Sequence, residues 1–152
     1  MKFNYFFVGV VMMFVGAGCM QAKSISVQTT PVVPLVAAQE IVYKDVQLGF
    51  TVTMPAEWKN YTTKYREINW GIFKTNSVDI GLPGDDSLFN INVFTDAEWK
   101  QLQSEPNMAG EATLLAQKGG TVFVGASAQS AQPQNMERFK EIGGILKTLK
   151  AE

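Results

Sequence analysis

Three times between Phe50 and Phe94 the chain shows the alternation of a half-buried β-strand, and this period constrains the fold more than any other feature. In FTVTM, Phe50, Val52 and Met54 lie two apart with Thr51 and Thr53 between them. Pro55, which cannot donate to a ladder, ends the run. SVDIGL and LFNINVF alternate in the same way and are joined by PGDDS, whose Pro, Gly and Asp are turn formers, so the two segments predict a hairpin. A period of two sends alternate side chains to opposite faces, and one face of each strand must therefore be buried.

The remaining segments fit around that sheet. PAEW is expected to turn into a short helical piece, and INWGIFK, Ile68 to Lys74, is expected to be a further strand. In TDAEW, Thr95 and Glu98 have capping-box spacing, which predicts a helix to about Ser104 with Trp99 and Leu102 inward. TLLAQKGGTVFVGAS predicts strand, turn and strand about Gly119 and Gly120. In NMERFKEIGGILKTLK, Met136, Phe139, Ile142, Leu146 and Leu149 recur at helical spacing behind Asn135 as N-cap. Gly143 and Gly144 are expected to let this helix approach the sheet closely. The class is therefore α+β: a mostly antiparallel sheet of five to six strands packed with a mid-chain helix and a C-terminal helix. Phe50, Val52, Phe89, Ile91, Val93 and Phe139 are the expected core.

LGFTVTMPAEWKNY, FNINVFTDAEW, GGTVFVGAS and the closing amphipathic helix together resemble the pattern of PsbP-like domains. The resemblance covers roughly residues 41 to 150 and implies a PsbP-like sandwich, a fold that also occurs in small bacterial lipoproteins. Its motifs are structural and carry over no binding or catalytic residue.

Ahead of the domain, Lys2 precedes an apolar run from Tyr5 to Val15 that ends in Gly16, Ala17 and Gly18, the three-part pattern of a secretory signal. Polar Gln21 and Lys23 follow too soon for a span of about 20 apolar residues. Cys19, the only cysteine, stands where the bacterial lipoprotein pathway alkylates the first mature residue. VGAGC resembles its lipobox, departing at Gly16 where an aliphatic residue is usual. The reading is a signal peptide at 1–18, a lipid-anchored tether at 19–40 containing Pro31 and Pro34, and the α+β domain at 41–152. Cys19 is the expected lipidation site and the membrane the expected partner, with the domain facing periplasm or cell exterior.

The composition narrows the chemistry. The chain has no histidine, and lipidation would consume its one thiol, so the commonest general base, transition-metal ligand and thiolate nucleophile are missing. Loss of residues 1–18 leaves 12 basic and 14 acidic residues and no basic stripe, which argues against nucleic acid as a partner. The expectation is a non-enzymatic, protein-binding or accessory lipoprotein with no catalytic residue, metal or cofactor. The alternative is a small extracytoplasmic ion-binding protein or carboxylate-using enzyme, in which Asp79, Asp85 and Asp86 around the hairpin turn would offer oxygen ligands. Trp58, Trp70 and Trp99 are read as core or core-edge residues rather than as a recognition surface. Asn90 and Asn92, opposite Phe89, Ile91 and Val93, are expected to face water.

Overall fold

The computed structural model of the protein describes residues 39–105 and 112–152. The signal segment, Cys19 and the tether up to Ala38 lie outside the described residues. Eight strands form two antiparallel sheets. The smaller sheet has the order β1-β2-β8, from Ile41–Asp45, Phe50–Met54 and Lys150–Ala151. The larger has the order β3-β4-β5-β7-β6, from Thr62–Asn69, Lys74–Leu82, Asp85–Thr95, Thr121–Ser127 and Thr113–Lys118. Helix α1 spans Asp96–Ser104 and α2 spans Met136–Leu146.

The main core fills the space between the sheets and beneath α2. Phe50, Val52 and Met54 from β2 meet Val78 and Ile80 from β4, Phe89 and Ile91 from β5, and Ile142, Ile145 and Leu146 from α2. The period-two readings thus place the inward faces correctly. Val93 and Phe139 pack only at the margin of this core and stay partly exposed. On the opposite face of the large sheet, α1 brings Trp99 and Leu102 onto Phe94, Val122 and Val124, with Trp70 and Phe73 at the edge. Its start carries the predicted capping box, with Glu98 N donating to Thr95 Oγ1 at 3.2 Å and Thr95 N donating to Glu98 Oε2 at 2.7 Å. The β6-β7 turn uses Gly119 and Gly120 at φ of 58° and 83°, as a two-residue hairpin requires.

The α+β class holds, but several local expectations are corrected. There are eight strands in two sheets where five to six were expected, the additions including β1 and the two-residue β8. INWGIFK is the end of β3, a turn and the start of β4 rather than one strand. Gly71 N donates to Asn69 Oδ1 at 2.9 Å, Gly71 takes φ 83°, and Trp70 N donates to Phe73 O at 2.9 Å. Helix α2 stops at Leu146, so Leu149 is buried from the segment that follows. Asn135 stands before α2 but makes no capping bond; its side chain is turned to Pro83 O and Asp85 Oδ2, to which Nδ2 donates at 3.1 Å and 2.7 Å.

Strand β3 is an outer edge of the large sheet and is exposed along nearly its whole length. Lys64 and Arg66 share a face there, opposite Asp79 and Ser77 of β4 in the ladder. The small sheet is tied to β3 by Asp45, only 1% exposed, whose Oδ2 accepts from Tyr43 Oη at 2.8 Å and Tyr65 Oη at 2.9 Å. Its Oδ1 accepts from Leu48 N at 2.8 Å, closing the β1-β2 turn.

Candidate functional site

Strand β2 is paired on one side along its full length by β1, but β8 covers only Phe50 and Thr51 on the other. Beyond that point the edge of β2 faces the last turns of α2 across an open groove of about 500 Å³. Its walls are Met54, Pro55 and Ala56 from the strand and the turn after it, and Gly144 and Ile145 from the helix. Glu40, Glu141, Thr53 and Thr148 supply its polar atoms.

The exposed backbone of this edge is already satisfied. Thr53 N donates to Thr148 Oγ1 at 2.8 Å, and that hydroxyl lies 3.1 Å from Thr53 O and 2.7 Å from Ile145 O, either of which can accept its proton. Pro55 has no N–H, and its carbonyl accepts from Trp58 N at 3.0 Å. A partner strand therefore finds no free ladder here, and recognition in the groove must come from buried side chains and charge. Glu141 is held in place by buried Trp58, whose Nε1 donates to its Oε2 at 2.8 Å. Arg138 Nη1 lies 3.6 Å from the other oxygen.

Gly143 and Gly144 do not serve a close helix-sheet approach as expected, because a Cβ at either would meet nothing within 4 Å. The missing side chain at Gly144 instead keeps the groove open. Two adjacent glycines inside an amphipathic helix weaken it, and that cost was the visible sign that something is built there. Glu40, Glu141 and Thr148 had no comparable signature, since the groove joins residues about a hundred positions apart.

The residues singled out in the sequence go elsewhere. Asp79 Oδ2 pairs with Arg66 Nε at 2.8 Å and its Oδ1 accepts from Ser87 Oγ at 3.1 Å. Asp85 accepts from Gln132 N and from Asn135, pinning the chain ahead of α2, while Asp86 is exposed. Among the described residues no three His, Cys, Asp or Glu gather where a metal ion could be held. Trp58 belongs to the main core, and Trp70 and Trp99 flank Phe94 in the second, so the three do not share a surface.

Asn92 is buried rather than facing water, and its Nδ2 donates to Asn90 Oδ1 at 2.8 Å. It lies opposite Ser77 in the β4-β5 ladder. Asn92 Oδ1 and Ser77 Oγ are both buried without a hydrogen-bond partner among the described residues. An unsatisfied buried group costs about 1–3 kcal/mol. Ser77→Ala is accordingly expected to stabilise the domain by about 0.5–1 kcal/mol in urea unfolding, whereas a loss of stability would reveal a partner for the hydroxyl.

Against known proteins, the chain matches no family model, no curated protein and no solved structure.

Proposed function

We propose that this chain is a non-enzymatic bacterial lipoprotein, anchored through Cys19, whose PsbP-like α+β domain binds another protein outside the cytoplasm. The observation that carries the binding role is the groove between β2 and α2, apolar in its walls and kept open by a glycine in the last turn of a helix. Concave, mainly apolar sites with a few placed polar groups are where proteins take up ligands and partner side chains. The anchor rests on the apolar signal and VGAGC, and the fold family on the strand-Pro-Trp and strand-into-helix segments. Asp79 and Asp85, on which an ion-binding alternative depends, are engaged by Arg66 and by Gln132 and Asn135.

Two measurements test the proposal. In a bacterial host with lipoprotein processing, Cys19→Ser is expected to abolish labelling by an alkynyl palmitate analogue and to release the chain from the membrane fraction or leave an uncleaved precursor. A wild-type N-terminus downstream of Cys19 without acyl mass would defeat the anchor. For binding, a photocrosslinking residue at Ala56, in the groove, is expected to give a protein adduct that the same residue at exposed Val46 does not. Equal or absent adducts at the two positions would defeat the binding role.

A further inference from the structure

Among the described residues, the two charged side chains lining the groove are Glu40 and Glu141, and no lysine or arginine lines it. Other polar groups in the lining are committed: the Thr53 amide and the Thr148 hydroxyl bond to each other, and the hydroxyl also reaches Ile145 O. The groove is therefore rich in acceptors that carry negative charge. Glu141 is ion-paired with Arg138 at 3.6 Å through Oε1, while Glu40 is exposed with no ion pair among the described residues, so the pair of carboxylates still outnumbers the cation beside them. The Trp58 indole fixes the Glu141 carboxylate beside the apolar wall of Ile145 and Gly144 before anything binds. A carboxylate held at the rim of an apolar cleft favours a ligand with both an apolar body and an adjacent cation, and disfavours an anionic one.

We propose that the groove receives an apolar side chain of a partner protein flanked by lysine or arginine, the apolar group lying against Pro55, Ala56 and Gly144, in front of buried Met54 and Ile145, and the cation meeting Glu40 and Glu141. This rests on the protein-binding reading and specifies its chemistry. Strand addition is not the mode, because Thr148 and Pro55 close the β2 edge. The recognised segment needs no particular backbone conformation, only the neighbouring pair of groups.

The test uses the full chain carrying Cys19→Ser, with methyl NMR signals of Ala56 and Thr148, both part-exposed in the groove, followed during titration with n-hexylammonium, n-hexanol and n-hexanoate. Hexylammonium is expected to shift both methyls and to bind about fivefold more tightly than hexanol, the scale of a part-exposed charge interaction, with hexanoate weaker than either. Glu40→Gln with Glu141→Gln should bring hexylammonium to within about twofold of hexanol, as expected once that charge interaction is removed. Gly144→Leu, which places a side chain in open space on a helix, should abolish all three without unfolding the domain. Hexanoate binding as tightly as hexylammonium, or a preference that survives the double substitution, would overturn the proposal while leaving the groove a binding site. If hexanol also leaves both methyls unmoved, the protein-binding reading fails with it. Sequencing the peptide crosslinked at Ala56 supplies the protein arm: a Lys or Arg beside the attached apolar residue is expected, and attachment to an acidic segment or a lipid chain overturns the assignment.

Discussion

Phe50→Ala is expected to remove about 3–5 kcal/mol of stability, the range for truncating a buried aromatic side chain. Phe50 is fully buried on β2, where its ring meets Tyr43 edge-on at 6.0 Å and Phe123 of the large sheet at 5.9 Å. Truncation would leave a cavity where the two sheets meet and remove both ring contacts at once. A small domain holds only about 5–15 kcal/mol in total, so the variant should sit close to unfolding at 37 °C. Phe139→Ala, at the margin of the same core, should cost about half as much or less, because the side chain is already part-exposed. Urea midpoints for the two variants side by side measure the difference; equal losses would mean that the core is not centred on β2.

The second large effect is expected at Asp45. Asp45→Ala deprives the Tyr43 hydroxyl and the Leu48 amide of their acceptor in a buried setting, and at about 1–3 kcal/mol per orphaned donor the loss should be about 3 kcal/mol. Asp45→Asn keeps one acceptor oxygen and should lose less. The same cluster dictates a response to alkali. Burial, the Tyr65 hydrogen bond and the Asp45 carboxylate hold the Tyr43 phenol far above its ordinary value of 10.0. At Tyr65 the bond with Tyr43 pulls downward, but burial and Asp45 leave that phenol raised as well. Below pH 10 both phenols keep their protons folded and unfolded, so their contribution to stability is complete. Above it the unfolded chain ionises first and stability falls as pH rises. Urea midpoints at pH 8, 10 and 11 should decline, and Tyr43→Phe should flatten the decline; an unchanged slope in that variant would place the alkaline loss elsewhere.

Local patterns were legible wherever the periodicity spoke for burial. FTVTM and LFNINVF place Phe50, Val52, Phe89 and Ile91 correctly because alternation reports which face is covered. The Thr95-Glu98 box and the Gly119-Gly120 turn were legible because their chemistry is confined to a few consecutive residues. IVYKD is not legible as a strand, because its apolar Val42 is exposed while its charged Asp45 is buried by a partner 20 residues away. Asn135 fits the N-cap preference, yet a carboxylate from Asp85 won its amide, a tertiary bond that no local propensity contains. The groove was the least legible feature. It is made by the shortness of β8, the hydroxyl of Thr148 and the absence of a side chain at Gly144, none of which is a motif.

The edge at β3, unpaired among the described residues, has a consequence for crowding. Two copies meeting edge to edge in antiparallel fashion about a two-fold axis must present the same face on the same side, so residues on one face can oppose only one another. In the registers that overlap most, this sets Lys64 against Arg66 of the neighbour, or Arg66 against its own counterpart. Like charges directly opposed across a ladder are destabilising, and basic residues on an edge are a known guard against sheet extension. Spacing two cations one alternation apart thus works as a built-in spacer, and copies that collide edge to edge at high concentration are kept from zipping into a continuous sheet.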